Sequence, residues 1–230
     1  MSTTTASAPV VEGHMVETTP LVVAIAHNKG GVGKTTSTVA LGRILSRRIR
    51  VEMVDMDDTR YLREMVRATS PGGDFRLGPR LWLREGDPQP SDVVLLDSAP
   101  ARGHTTRTAL QLADYVIVPA PPEPMGLLGL QFMFDVIDEW RADPQQGNPF
   151  LQILGVQPTL FDQRWPNHHG WVEEMQKFCD NRGVRSFPPI PRRQSYTSLS
   201  IAGQDYVPAA NAIEEALATH RAALRGSHAR

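Results

Sequence analysis

The stretch His27–Thr36 reads HNKGGVGKTT, and what stands on either side of it decides the fold. Before it runs LVVAIAHN (Leu21–Asn28), an almost continuous apolar segment of strand length, as expected of a strand covered on both faces of a parallel sheet. After it, KTTSTVALGRILSRR carries Val39, Leu41, Ile44 and Leu45 at roughly helical spacing. Between them Gly30, Gly31 and Gly33 let successive backbone N–H groups curl around an anion, with the positive end of the following helix aimed at the same place. The strict phosphate-loop pattern G-x-x-x-x-G-K-[ST] misses one position, because Asn28 stands where the first glycine belongs. The physics survives that mismatch. Lys34 is expected to reach the β- and γ-phosphates of a nucleoside triphosphate, and the Thr35 hydroxyl to join a Mg2+ shell. The nucleotide-binding residues expected are Lys29, Gly30, Gly31, Val32, Gly33, Lys34, Thr35 and Thr36.

Working outward, VEMVD (Val51–Asp55), DVVLLD (Asp92–Asp97), DYVIVPA (Asp114–Ala120) and LQILGVQPT (Leu151–Thr159) read as further strands. Helical patterns fall around Leu127–Trp140, over Trp171–Arg182 and from about Ala209 to Leu224. The Gly/Pro-rich SPGGDFRLGPR (70–80) reads as a connector, and RSFPPI (185–190) as a short strand. Strands alternating with helices predict an α/β fold: a doubly wound, mostly parallel sheet flanked by helices, in a single P-loop NTPase domain over residues 20–226. Residues 1–19, rich in Thr, Ser and Ala, are expected to be a disordered leader, and 227–230 a disordered tail. Ligands of such sheets collect at the carboxyl ends of the strands. NKGGVGKTT, VDMDD and DSAP all fall there.

The carboxylates fit that edge. Asp97 closes the apolar strand VVLLD in the manner of a Walker B aspartate and is expected to hold Mg2+ through a water; the plainer alternative is a helix cap. Asp55 and Asp57 fall on one side by alternation, where close like charges need a cation to be tolerable, and one of them is a candidate to orient the attacking water. Asp58 is expected to cap the helix in TRYLREMV.

Composition narrows the partners. The net charge of −1 argues against a wholesale nucleic-acid coat, so any DNA contact must come from a local patch. The segment 182–230 holds seven arginines against three acidic residues, a net of +4 that leaves −5 elsewhere. Arg192 and Arg193 in IPRRQSY, then Arg221 and Arg225 on the last helix, are the candidate DNA-binding residues. One cysteine, Cys179, rules out an intrachain disulfide or a cysteine-held cluster within one chain. No apolar run approaches the ~20 residues of a membrane span. His104, His168 and His169 show no metal-ligand spacing. Lysine is used sparingly: of 24 basic residues three are lysine, and two of these, Lys29 and Lys34, share the glycine-rich loop.

These residues resemble the ParA/MinD group of deviant Walker A ATPases, over nearly the whole chain from Leu21 to about Leu224. KGGVGKTT matches the group's loop without a gap, and VEMVDMDD, VVLLDSAP and ADYVIVPAPPEPMGLLGL match the motifs that follow. ILGVQPTLFDQR and IPRRQSYTSLSIAGQDYV resemble the closing strands of ParA proteins in particular. The resemblance implies ATP and Mg2+ as ligands. Lys29 matches the group's signature lysine, which crosses to the partner subunit's phosphates when two ATP-bound monomers close face to face, as an arginine finger does. Asp57 is by the same carry-over the water-positioning residue, making Lys29, Lys34 and Asp57 the catalytic set. Also implied are an ATP-dependent homodimer, non-specific DNA binding on the nucleoid in the cytoplasm, and hydrolysis stimulated by a ParB-type centromere-binding partner. Asp58-Thr59 stand where the family usually has Pro-Gln. The alternatives are a ParA-like ATPase that positions a protein cargo on the nucleoid and a MinD-like, membrane-associated one. The latter is disfavoured because NAIEEALATHRAALRG lacks Trp, Phe and lysine, and its stripe of Ile213, Leu217 and Leu224 suits packing on the sheet. A P-loop kinase or ligase fits the loop but not Lys29.

Overall fold

The computed structural model describes residues 19–69, 75–99, 104–193 and 203–227. The expected leader, apart from Thr19, and positions 228–230 of the expected tail lie outside them. The strands are β1 (Leu21–Ile25), β2 (Val51–Asp55), β3 (Arg76–Gly78), β4 (Leu81–Leu83), β5 (Val93–Asp97), β6 (Tyr115–Ala120) and β7 (Gln152–Pro158). The helices are α1 (Lys34–Leu45), α2 (Tyr61–Thr69), α3 (His104–Leu112), α4 (Pro124–Ala142), α5 (Pro166–Asp180) and α6 (Val207–Ser227). The strands form one sheet in the order β3-β4-β2-β5-β1-β6-β7, parallel throughout except for the β3–β4 pair. The doubly wound α/β expectation holds.

Strand alternation sorts the core into two layers. Leu21, Val23 and Ile25 of β1, with Val93 and Leu95 of β5, face Val39, Leu41 and Leu45 of α1, Leu62 and Val66 of α2, and Ala209, Ile213 and Leu217 of α6. Ala24 of β1 and Val94 and Leu96 of β5 face α3, α4 and α5 through Leu110, Leu130, Phe134 and Met175. The chain winds outward from β1 in both directions, so the loop after β1 sits at the topological switch point, where an open crevice forms.

Three expectations are corrected. The connector over 70–80 contains β3, and β4 follows it at once; both strands are only three residues long, too short for periodicity to register. Residues 185–190 make only isolated bridges, Val156 to Ser186 and Phe161 to Pro191, because the prolines at 188, 189 and 191 cannot donate to a ladder. Helix α5 starts earlier than its apolar pattern, at Pro166, a residue suited to a first helical position.

The edge hairpin is fastened by a buried ion pair. Glu52 of β2 is fully buried and accepts from Arg84 Nε at 3.0 Å, from Arg84 Nη2 at 2.5 Å and from the Gln89 amide at 3.1 Å. Removing one partner of such a pair strands a buried charge. Arg84→Ala is expected to cost about 3 kcal/mol, read by thermal denaturation as a Tm drop of roughly 6–12 °C. Pairing it with Glu52→Gln should recover most of the loss. An unchanged midpoint in the single variant would show that the pair does not fasten the edge.

Candidate nucleotide-binding site

The loop's path is set by backbone handedness. Gly31 and Gly33 sit at φ 75° and 93°, the left-handed region that glycine enters without strain. Val32 between them is buried, and its carbonyl accepts the Thr159 hydroxyl at 2.7 Å, which pins the loop to the end of β7. Helix α1 then begins at Lys34 with no side-chain cap, which leaves its first-turn amides to an anion. The Lys34 ammonium is tucked beneath the loop, donating to the Lys29 carbonyl at 3.1 Å. Burial lowers its pKa, while the charges of Asp97 and Asp57 pull the other way.

Alternation also aims the carboxylates. Val93, Leu95 and Asp97 point to the α1 face, as do Val51, Met53 and Asp55, and the register sets Asp55 directly beside Asp97. Asp97 is 1% exposed. Burial above all pushes its pKa up to about 7, against a hydrogen bond from Thr35; the neighbouring Asp55 and Asp57 raise it and Lys34 lowers it. The Thr38 hydroxyl lies 3.4 Å from its Oδ1. Among the described residues no three His, Cys, Asp or Glu side chains group closely enough to cage a metal. A buried carboxylate beside a threonine hydroxyl, with its pKa raised by burial and then by the neighbouring aspartates, fits Mg2+, which takes few protein oxygens and keeps waters or phosphate oxygens for the rest.

The structure reassigns the helix cap. Asp55 Oδ2 accepts the Arg63 amide of α2's first turn at 2.9 Å, and its Oδ1 accepts the Asp57 amide at 3.0 Å. Asp55 therefore does the work expected of Asp58, which is exposed. Asp57 takes the Thr59 amide at 2.9 Å and still lies close enough to act electrostatically on Lys34 and Asp97. Arg60 follows at φ 53°, a left-handed position that a side chain rarely adopts.

Lys29 sits on the outside of the loop, 46% exposed, and its ammonium pairs with Glu123 at 3.0 Å. Its amide donates to His27 Nδ1 at 3.0 Å. His27 is fully buried, with Nε2 unpartnered among the described residues. Sequence reading gave no role to Glu123, His27 or Thr159. Glu123 was visible as the acid just before α4 in PAPPEP; nothing in sequence marks the other two, and the Thr159 bond to the loop spans 127 residues.

The four candidate DNA-binding arginines do not stand alike. Arg193 pairs with Asp205 at 3.1 Å, and Arg221 with Asp92 at 2.6 Å, a carboxylate that also holds Arg50. Arg192 and Arg225 are exposed and make no ion pair among the described residues.

Two predictions follow from the loop's packing against α4. A Cβ at Gly129 would lie 2.7 Å from His27 Cε1 and 2.8 Å from its Nε2. Gly129→Ala is therefore expected to displace the ring and cost about 1–3 kcal/mol, with weakened binding of a fluorescent ATP analogue; unchanged melting and affinity would refute the wedge. Burial, then the Lys34 and Lys29 charges, lower the His27 pKa from 6.5 to about 4. The native state thus resists a proton that the unfolded chain accepts, so stability is complete above pH 6.5 and is lost as pH falls through about 4. Tm measured against pH should decline less steeply over that window in His27→Asn than in the parent.

Comparison with known proteins agrees with this geometry. A family model described as the CobQ/CobB/MinD/ParA nucleotide binding domain matches residues 23–206. The chain is 29% identical over 177 residues to the chromosome-partitioning ATPase Soj of Thermus thermophilus, covering 62% of this chain and 70% of that one. It is 34% identical over 178 residues to the maintenance of carboxysome distribution protein A of Gloeobacter kilaueensis, covering 75% and 77%. Among solved structures, cobyrinic acid a,c-diamide synthase of Mycobacterium smegmatis with bound ADP and magnesium superposes with a TM-score of 0.64 at 25% identity, covering 85% of this chain and 94% of that one. The switch-point loop, its buried acidic partners and these likenesses agree: the chain belongs to the CobQ/CobB/MinD/ParA nucleotide-binding family and, within it, to the ParA/MinD group of P-loop ATPases.

Proposed function

We propose that this chain is a ParA-type partition ATPase: an ATP-dependent homodimer that binds DNA without sequence preference and lets go when a ParB-type partner stimulates hydrolysis. The observation that carries this reading is the outward second lysine. Lys34 serves the chain's own phosphate site from beneath the loop, whereas Lys29 projects from it. Beside it, the first turns of α4 expose Met125 and Leu128 at 59% and 62%, an apolar face suited to a second copy.

In this reading Lys29 neutralises charge on the facing subunit's triphosphate, Lys34 does so within its own, and Asp57 positions the attacking water. Thr35 and Asp97 hold Mg2+, which supplies charge neutralisation at the phosphates. The Lys29–Glu123 pair must open first. Because both side chains are about half exposed, that costs less than about 1 kcal/mol.

The likeness to a carboxysome-distribution protein supports a second reading, in which the cargo is a protein assembly and DNA serves as the track. A MinD-like membrane role is less well supported. Ile213 and Leu217 of α6 are spent in the core, Leu224 is partly buried, and no described helix is long and apolar enough to cross a membrane. The proposed location is the cytoplasm, on the nucleoid.

The test is mass and DNA binding as a function of nucleotide. With ATP and Mg2+ the protein should double its mass in light scattering and bind random duplex DNA, with affinity falling steeply as salt rises. Lys29→Ala should keep ATP binding but lose roughly 10³-fold in stimulated hydrolysis. A monomer in saturating ATP, or DNA retention without nucleotide, would sink the reading. Stimulation by a DNA-binding partner rather than by a cargo adaptor separates the two versions.

A further inference from the structure

Besides Arg192 and Arg225, a second group of unpaired cations lies outside the C-terminal segment. Where α1 ends and the β3–β4 hairpin turns, a surface cavity of about 540 Å³ is lined by Arg43, Arg47 and Arg80 together with Ser46, Gly78 and Pro79. No carboxylate lines it, and among the described residues none of the three arginines makes an ion pair. Arg80 spends one donor on the Arg47 backbone carbonyl at 3.0 Å, which ties the hairpin turn to the end of α1. Arg43 is partly buried, and its Nε has no acceptor. By contrast, Arg48, Arg50, Arg84, Arg185, Arg193 and Arg221 each have a carboxylate.

Three uncompensated guanidinium groups around one concavity cost free energy through mutual repulsion and, for Arg43, desolvation; an anion relieves both. The lining selects the kind of anion. It holds no aromatic ring on which to stack a base, and Arg47 and Arg80 are exposed at its rim, so it is open to an extended chain. Guanidinium forks match phosphate oxygens. We propose that this cavity is a seat for DNA phosphodiester groups, making Arg43, Arg47 and Arg80 non-specific DNA contacts of the chain. The assignment rests on the partition-ATPase reading and adds the end of α1 and the hairpin turn to the exposed Arg192 and Arg225 as a contact surface. One seat per protomer binds weakly; the ATP dimer carries two, each at the end of α1 away from the nucleotide loop, and avidity is raised where one DNA molecule reaches both.

The experiment is fluorescence anisotropy of a labelled random duplex with the ATP-loaded full chain, titrated over a range of KCl. Each phosphate contact adds about 0.9 to the slope of log affinity against log salt. Arg47→Ala with Arg80→Ala, both exposed sites, should lower affinity about tenfold or more and reduce that slope by about 2. ATP-dependent mass and DNA-free hydrolysis should be unchanged. Arg47→Glu with Arg80→Glu should deepen the loss, and serves as the second variant. Unaltered affinity and slope in variants that still dimerise would overturn the seat while leaving the partition reading intact, as would loss confined to Arg192→Glu with Arg225→Glu. Binding of inorganic tripolyphosphate at the cavity with DNA affinity unaltered would equally overturn it. If the parent itself ignores DNA in ATP, the partition reading fails first.

Discussion

The burial of the Asp97 carboxylate against Lys34 and Thr35 is the constraint on which the site depends. Three aspartates converge at the ends of β2 and β5, and one ammonium group faces them. That balance is poor: burial, then the two like charges, push the Asp97 pKa up to about 7, and burial lowers that of Lys34 against the pull of Asp97 and Asp57. The imbalance is tolerable because adjacent strands are tied into the middle of the sheet, where Asp97 and Asp55 cannot separate. A site strained in this way favours whatever brings positive charge, which is the electrostatic reason that a divalent cation suits it.

Around that centre, most polar groups serve to fix the loop rather than to contact a ligand. Thr159 anchors the Val32 carbonyl, His27 accepts the Lys29 amide, and Asp55 binds the start of α2. The first joins segments 127 residues apart, and the other two are local. Together they hold the backbone amides at the switch point in one orientation before any phosphate arrives, and preorganisation of this kind limits the ordering cost of binding. Glu123 extends the arrangement outward, giving Lys29 a partner within its own chain that a half-exposed pair can release cheaply.

Charge along the rest of the chain obeys a different logic. The excess of arginine toward the C-terminus suggested a DNA-facing patch, yet much of it is consumed internally, by Asp205, Asp92 and Glu215. A count of charges in a segment says nothing about which partners the fold sets against them. The arginines that line one cavity without a counter-charge come from the end of α1 and the hairpin, two segments that no sequence window joins.

The sequence by itself determined the alternation of buried strands and helices, the glycine-rich loop with both its lysines, and the acids that close β2 and β5. These features are local: hydrophobic period, glycine handedness and the end of an apolar run are written in neighbouring residues. It left the three-residue strands β3 and β4 unread, and it misassigned the cap of α2 to Asp58 because Asp55 reaches that helix from within its strand. Only the tertiary structure decided which charges meet. Lys29 with Glu123, Asp97 beside Asp55, Arg221 on Asp92 and the unpaired trio at the end of α1 all depend on strand order and on which face each strand turns toward α1. Electrostatic energy depends on distance through space, and sequence separation carries almost none of that information.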